Sequence, residues 1–279
     1  MTSTIDNAVV ATLADRHARG ESLPSLAREV GVSWQKLWGL VRGPSAPPPL
    51  PGRPLEARPG AASLVERYRP ITLDGLWGQD RAVKVLKSFA AAPCPASFIF
   101  EGGTGAGKTS AALALAQALG CDVASGEWGG VWEIASGEQT ADAVRETGRR
   151  MGLHPGSGSG WRVVIVNEAD RMCRPAEVIW LDLLEHLPRK AVVVFTTNDP
   201  GLLSQRFRDR STTLCFESRA DVLRPAMIAF AAAVWKTETG RPAARRQITA
   251  LVEQAVVKGE LSFRRVVQVL ARTLAEAGA

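Results

Sequence analysis

An apolar run that breaks into a glycine-rich turn constrains this chain more than any other stretch. Ser97–Phe100 predicts a buried strand, because it is short, apolar and preceded by prolines. A glycine-rich turn follows, and then a helix-forming run, Ser110–Leu119, which Gly120 ends. The spacing from Gly102 to Gly107-Lys108-Thr109 is the phosphate-binding pattern G-x-x-x-x-G-K-[ST], in the strand–turn–helix context that this pattern requires.

Phosphate chemistry explains this spacing. Glycines let backbone N–H groups turn inward around a phosphate, and the following helix presents its positive end. Lys108 can reach the outer phosphates, and the Thr109 hydroxyl can ligate Mg²⁺. A glycine-rich turn that binds nothing is the alternative, which the strand before and the helix after it disfavour. We therefore predict that ATP and Mg²⁺ bind at Gly102, Gly103, Thr104, Gly105, Ala106, Gly107, Lys108, Thr109 and Ser110.

Composition narrows the class of protein. The 279 residues suffice for two or more domains, and the net charge of +6 allows a polyanion partner without requiring one. The four cysteines form no C-x-x-C pair, which disfavours a zinc site and a disulfide framework. We find no apolar run of membrane-spanning length and no signal-peptide pattern. These features predict a cytoplasmic protein with no membrane partner.

The N-terminal region predicts a separate module. Residues 1–42 carry a helix-turn-helix-like pattern in which Ser33 caps a second helix that begins with Trp34, Gln35 and Lys36. Those three side chains would contact DNA if the module binds it. A helical hairpin that contacts protein is the alternative. Residues 43–60 are rich in proline and predict a semi-rigid linker, although such a segment could also bind a proline-recognition domain.

Strand and helix patterns then alternate over residues 61–217. Because apolar strands alternate with helices, we predict an α/β fold with a doubly wound, parallel, five-stranded sheet. Its ligands would bind at the carboxyl ends of the strands. Residues 218–279 predict a helical lid domain. The strands are predicted near 97–100, 131–135, 161–166, 191–197 and 211–216, and the lid helices at 221–236, 243–258 and 262–277.

Asn167 and Glu168 follow the third predicted strand. A P-loop enzyme needs an acid beside Mg²⁺ and a carboxylate that positions the attacking water, and Glu168 fits the second role. Asn167 occupies the position where an aspartate is expected, so it can accept a hydrogen bond but contributes no negative charge. Slow turnover is therefore expected. The alternative is that Glu168 and Asp170 only cap the next helix.

Two further polar residues follow the same logic. Asn198 comes after the fourth strand, which we expect to lie between the Glu168 strand and the P-loop strand, within reach of the γ-phosphate or the water. Arg210 precedes the last strand and is placed to project toward the nucleotide of a neighbouring subunit. The alternative is that Arg206, Arg208 and Arg210 form a solvated basic face.

These ordered motifs resemble the clamp-loader branch of the AAA+ ATPases, particularly the replication factor C small subunits. Tyr68-Arg69-Pro70 and Gly78-Gln79 are similar to family elements that pass beside the adenine. Glu133–Ser136 and the following Ala141–Arg145 are similar to a strand of the family and to the helix after it, which faces DNA in the central channel. The resemblance also implies that Asn198 is sensor 1, that Arg210 is an arginine finger acting in trans, and that Arg264 is sensor 2.

The resemblance implies a DNA-associated ATPase that hydrolyses ATP at subunit interfaces to load or remodel a replication protein. Its expected partners are DNA, other AAA+ subunits in a homo- or hetero-oligomer, and a loaded protein. Clamp-loader subunits have a helical collar and lack an N-terminal helix-turn-helix module, so two alternatives stay open. One is a phage-type transposition or helicase-loader ATPase that forms rings or filaments on DNA. The other is a DNA-binding regulator that uses ATP as a slow switch.

Overall fold

The chain divides into two compact units, Met1–Gly52 and Arg53–Ala279. The structure, a computed structural model, describes residues 55–58 and 60–276, together with Leu13, Arg16, Leu26, Arg28 and Glu29. Trp34, Gln35 and Lys36 lie outside the described residues, as do most of the predicted helix-turn-helix-like module and its linker. That module and the predicted domain boundaries stay predictions.

The second unit is built on a five-stranded sheet in which every pair of neighbours is parallel. The order of the strands is β2-β3-β4-β1-β5, so the P-loop strand β1 lies between β4 and β5. This confirms the predicted five-stranded parallel sheet and the predicted position of the Asn198 strand. The strands are β1 (Ala96–Gly102), β2 (Val131–Ile134), β3 (Arg162–Val166), β4 (Ala191–Thr197) and β5 (Thr212–Phe216).

Helices cover both faces of this sheet. Alternate residues of β3 belong to different cores: Val163 and Ile165 pack in one layer, and Val164 packs with Trp180 in the other. Because β3 and β4 are buried on both faces, these two strands lack a polar alternation. The helices of the sheet domain and the segment before it are α1 (Leu64–Arg67), α2 (Asp80–Ala91), α3 (Lys108–Ala118), α4 (Ala141–Met151), α5 (Arg174–Glu185) and α6 (Gln205–Asp209).

The lid consists of helices α7 (Ala220–Thr239), α8 (Arg245–Gln254) and α9 (Phe263–Glu276), which pack on one another. Its aromatic residues continue the core: the ring of Phe230 lies 5.8 Å from that of Trp77 and 5.4 Å from that of Phe263. Within the described part of the chain, no helix is both long and apolar enough to cross a membrane.

Residues 55–79, which we call the lead segment, are fastened to the lid through Glu238. The Tyr68 hydroxyl donates to Glu238 Oε1 at 2.5 Å, and Arg67 Nη1 donates to Glu238 Oε2 at 2.8 Å. Burial, reinforced by the neighbouring Glu238 carboxylate, raises the pKa of Tyr68 well above its usual range. The lead segment and the lid therefore meet at a fixed point beside the cleft described next.

Candidate nucleotide-binding site

The P loop turns sharply between β1 and α3. Gly105 has φ +78° and Gly107 has φ +100°, in the left-handed region that glycine tolerates without strain. A Cβ atom on Gly105 would also lie 3.0 Å from Ser262 Oγ, in the lid. Helix α3 begins at Lys108 and has no side-chain cap, so its first amides face the loop. This geometry suits an anion at the positive end of the helix.

The Lys108 ammonium lies at the centre of the loop. Nζ donates to Gly102 O at 2.6 Å, to Gly103 O at 3.0 Å and to Asn198 Oδ1 at 2.9 Å. All three ammonium protons are therefore engaged by oxygen atoms, and the residues that follow β1 and β4 meet at this nitrogen. A phosphate oxygen that binds here would replace one of these acceptors.

The surroundings of Lys108 change its proton affinity. Burial lowers the pKa of Lys108 from 10.5 to about 8. The carboxylates of Asp170 and Glu168 oppose this shift, and the positive charge of Arg264 reinforces it. The ammonium therefore stays charged near neutral pH and loses its proton in mildly alkaline solution.

Thr109 and Asn167 suit a Mg²⁺ ion that the phosphates of a nucleotide also bind. Thr109 Oγ1 donates to Asn167 Oδ1 at 2.9 Å, and Asn167 Nδ2 donates to Glu133 Oε2 at 3.0 Å. In the described residues, no three His, Cys, Asp or Glu side chains form a metal site by themselves. Mg²⁺ in nucleotide sites keeps several waters and uses one or two protein oxygens with phosphate oxygens, and the Thr109–Asn167 pair fits that requirement.

Glu168 sits in a constrained turn directly after β3. Its φ of +52° is uncommon for a residue with a side chain. Its Oε2 accepts a hydrogen bond from Ser136 Oγ at 2.6 Å and lies 3.2 Å from Arg171 Nε. Its backbone N–H donates to Thr196 Oγ1 at 3.2 Å. Ser136 and Arg171 thus hold the carboxylate, and Thr196 holds the backbone of the turn.

The loop between β2 and α4, residues 135–140, donates hydrogen bonds to the backbone of this turn. Gln139 is 4% exposed, and its Nε2 donates to the carbonyl oxygens of Asn167 and Glu168, the latter at 3.2 Å. The sequence alone predicted no role in nucleotide binding for Glu133, Ser136 and Gln139. The available signal was that they lie at or just after the carboxyl end of β2, next to β3.

The cleft around these residues has a volume of about 320 Å³ and two chemically different ends. One end carries the P loop and the polar residues after β3 and β4. The other is apolar and suits a purine ring, because aromatic and aliphatic side chains from the lead segment and the lid line it. The residues of that apolar end are Val65, Tyr68, Leu76, Phe230, Phe263 and Val267.

The structure brings many of the residues assigned from the sequence into this cleft. Its lining includes Tyr68, Arg69, Pro70, Thr104, Gly105, Gly107, Lys108, Thr109, Ser110, Asn167, Glu168, Asn198 and Arg264. The apolar contributions of Phe230 and Val267 were not assigned, because the sequence pattern of such helix residues does not distinguish core packing from a ligand contact.

Five of the residues assigned to nucleotide binding do not line this cleft in the described chain: Gly78, Gln79, Gly102, Gly103 and Ala106. Gln79 is buried, and its Nε2 donates to Glu217 O at 3.0 Å and to Ala106 O at 3.3 Å. It also accepts from Glu217 N at 2.8 Å. Gln79 therefore ties the P loop to the junction between β5 and the lid.

Arg210 lies at the amino end of the parallel strands, whereas the P loop lies at their carboxyl end. Its carbonyl accepts from Ser97 Oγ at 2.7 Å, near the start of β1, whereas the P loop begins at the end of that strand. The five residue-to-residue steps from Ser97 to Gly102 span about 16 Å at a rise of about 3.3 Å per residue. Arg210 Nε donates to Glu185 Oε1 at 2.9 Å. Arg210 is thus remote from the cleft of the same chain.

Comparison with known proteins adds sequence and structural relatives. Residues 98–218 match the model of the "ATPase family associated with various cellular activities (AAA)". The replication factor C large subunit of Methanocella arvoryzae is 31% identical over 162 residues, which are 55% of this chain and 28% of that protein. The replication factor C small subunit of Haloarcula marismortui is 26% identical over 173 residues, which are 60% of this chain and 51% of that protein. This chain spans about half of those relatives or less.

Among solved structures, the fold is similar to the Thermotoga maritima RuvB Holliday junction branch migration motor. The match has a TM-score of 0.59 and 17% sequence identity, and covers 76% of this chain and 67% of that chain. At this level of identity the likeness concerns the fold alone.

Proposed function

We propose that the cleft of this chain binds ATP with Mg²⁺ and hydrolyses it, because residues 98–218 match the AAA ATPase family model and the motifs of the chain resemble those of the clamp-loader branch. The observation that carries this proposal is the convergence of three strand ends on one point. Lys108 follows β1, Asn167 and Glu168 follow β3, and Asn198 follows β4, while an apolar pocket lies beside them. This arrangement provides separate positions for phosphates, an attacking water and a base.

Each proposed role follows from the chemistry of the side chain. Lys108 and the first amides of α3 bind the outer phosphates, where their positive charge opposes the charge of the triphosphate. Asn198 Oδ1, 2.9 Å from Lys108 Nζ, orients that ammonium and would contact the γ-phosphate when ATP binds. Glu168 accepts a hydrogen bond from the attacking water and directs its oxygen. Arg264 supplies a further positive charge from the lid.

Thr109 and Asn167 would hold Mg²⁺. The hydrogen bond to Asn167 engages the Thr109 hydroxyl proton, so the hydroxyl oxygen keeps lone pairs for a cation. When bound, Mg²⁺ neutralises phosphate charge and withdraws electrons from the transferred phosphoryl group.

We further propose that Arg210 completes the site of a neighbouring subunit. An arginine that stabilises the transferred phosphoryl group from a neighbour accelerates P-loop enzymes by roughly 10³ to 10⁵. The distance from Ser97 to Gly102 supports this role, because Arg210 at the amino end of the sheet lies too far from its own P loop. Glu185 holds the guanidinium until a subunit interface forms.

By analogy with the replication factor C subunits among its relatives, the assembled protein would act on DNA and load or remodel a protein partner. The charge of +6 is compatible with a DNA partner. The predicted helix-turn-helix-like module, with Trp34, Gln35 and Lys36 at the start of its second helix, would provide an additional DNA contact.

A second candidate function is that of a DNA-bound regulator that uses ATP as a slow switch. Asn167 favours it, because the residue beside the proposed Mg²⁺ position lacks the negative charge of an aspartate. Phosphate release, measured with and without double-stranded DNA, distinguishes the two functions. A loader should release phosphate faster when DNA is present, whereas a switch should turn over slowly under both conditions.

Wild-type protein and Lys108→Ala should be compared in the same assay. Lys108→Ala should lose ATP binding and all phosphate release, because it removes the ammonium that lies inside the P loop beside Asn198. Wild-type protein that neither binds ATP nor releases phosphate would contradict the proposed function.

A further inference from the structure

Glu133 occupies a distinctive position in the cleft. It lies near the end of β2, where its Cα pairs with Ile165 of β3, two residues before Asn167. Because side chains alternate between the faces of a sheet, Glu133 and Asn167 are diagonal neighbours on one face, within reach of long side chains. Asn167 N also donates to Ile134 O at 3.0 Å, which extends the β2–β3 pairing to that residue. The register of the two strands therefore fixes their contact.

Among the described residues, the Glu133 carboxylate has no cation at ion-pair distance. Across residues 55–58 and 60–276, Glu133 forms no ion pair with Lys, Arg or His, although it lines the cleft. Its carboxylate instead accepts from Asn167 Nδ2 at 3.0 Å. A carboxylate that faces a phosphate-binding cleft is repelled by the phosphates unless a cation lies between them.

The contacts form a chain from Glu133 to the P loop. Glu133 accepts from the amide nitrogen of Asn167, and Asn167 Oδ1 accepts from Thr109 Oγ1 at 2.9 Å and from Thr196 Oγ1 at 3.3 Å. The carboxylate thus fixes which way the Asn167 amide points, with its oxygen toward Thr109. An aspartate at position 167 would bring both the oxygen and the charge, whereas here the two are divided between neighbouring strands.

We propose that Glu133 is the positioning residue of the Mg²⁺ site. It orients Asn167 Oδ1 toward Thr109 and supplies, from β2, the negative charge that Asn167 lacks. This inference rests on the proposed function, since it concerns the same nucleotide cleft. Loss of such a supporting partner typically weakens metal binding by about tenfold or more.

The test measures the dissociation constant of a non-hydrolysable ATP analogue with saturating Mg²⁺ and with EDTA. The ratio of the dissociation constant in EDTA to that with Mg²⁺ reports how much Mg²⁺ contributes to binding, independently of turnover. Glu133→Gln should reduce this ratio about tenfold. Its affinity in EDTA should stay the same or rise, because a repelling charge is lost. Glu138→Gln removes the same charge from the adjoining loop without lining the cleft, and its ratio should equal that of wild type.

A double-substitution cycle tests the division of roles. Asn167→Asp alone places two carboxylates against each other, so it should raise the Mg²⁺ contribution little. Combined with Glu133→Gln, it restores a donor–acceptor pair, with the amide at 133 and the charge at 167. The double variant should therefore regain at least the wild-type ratio, a non-additive result.

An unchanged ratio in Glu133→Gln, or a ratio in the double variant that stays as low as that of Glu133→Gln, would overturn the inference while leaving nucleotide binding intact. Wild-type protein that fails to bind the analogue under both conditions would overturn the proposed function itself. The analogue's affinity in EDTA also reports whether each variant is folded.

Discussion

The Ser136 hydroxyl donates to Glu168 Oε2 at 2.6 Å, so the carboxylate proposed to orient water is already hydrogen-bonded to the loop after β2. Arg171 Nε lies 3.2 Å from the same oxygen. Hydrogen bonds to charged groups typically contribute about 1.5–3 kcal/mol. Glu168 must therefore give up a substantial interaction before it can turn fully toward a water.

Substitution of Ser136 should consequently speed hydrolysis. We expect Ser136→Ala to raise phosphate release by up to about tenfold, equivalent to about 1.4 kcal/mol, because one restraint on Glu168 is removed. Steady-state phosphate release at saturating ATP checks this. Ser125→Ala, which alters a hydroxyl bonded to Asp122 outside the cleft, is the matched control. Slower turnover in Ser136→Ala would mean that Ser136 holds Glu168 in its productive position.

ATP affinity should fall in alkaline solution because of Lys108. Its pKa of about 8 in the free protein means that protonated Lys108, the form that binds phosphate, becomes scarce above that pH. Bound phosphates favour the charged form, so binding takes up a proton. The dissociation constant should be flat below pH 8 and rise up to about tenfold per pH unit above it.

Titration of a fluorescent ATP analogue between pH 7 and 9.5 measures this dependence. The triphosphate is already ionised over this pH range, since the second pKa of a phosphate group is about 6. Lys108→Arg keeps its charge throughout, so its profile should be flat whatever its absolute affinity. A flat wild-type profile would show that Lys108 does not titrate in this range.

A mixture of two inactive variants should recover activity if Arg210 acts in trans. Lys108→Ala cannot hold ATP but offers an intact Arg210, whereas Arg210→Ala holds ATP but offers its neighbour no arginine. Mixed interfaces that combine the intact halves should release phosphate. If the variants co-assemble, as shown by light scattering or cross-linking, and the mixture stays inactive, Arg210 does not act from a neighbour.

Removal of residues 1–52, the first compact unit, should weaken DNA binding if the predicted helix-turn-helix-like module contacts phosphates. Each lost phosphate contact should also flatten the salt dependence of the affinity, because fewer counterions are released. Fluorescence anisotropy with labelled duplex DNA at several salt concentrations measures both effects. DNA affinity and a salt slope that survive the deletion would assign this unit to protein contacts.

The main features of the fold were predictable, because its strongest signals are local. The apolar strand Ala191–Thr197 and the strand–turn–helix around Gly107 carry their periodicity and turn chemistry in contiguous residues. Once the strands are assigned as parallel, the convergence of Lys108, Glu168 and Asn198 follows from the position of the carboxyl ends.

The supporting contacts were not predictable, because they depend on register and packing. The Asn167–Glu133 hydrogen bond depends on the alignment of β2 with β3. The hydrogen bonds of Gln79 to Ala106 and Glu217 depend on how the P loop packs against the junction between β5 and the lid. The fastening of Tyr68 to Glu238 joins residues 170 positions apart. Such contacts leave no periodic trace in the sequence.

The central claim is that this cleft hydrolyses ATP with Glu168 as the residue that orients the water. Glu168→Gln keeps the size of the side chain and removes its charge, so single-turnover phosphate release from pre-bound ATP tests the claim most directly. We predict wild-type ATP affinity with release slowed at least about a hundredfold, the scale of a general base. Glu138→Gln serves as the control and should match wild type. Release from Glu168→Gln at a rate close to that of wild type would contradict the account.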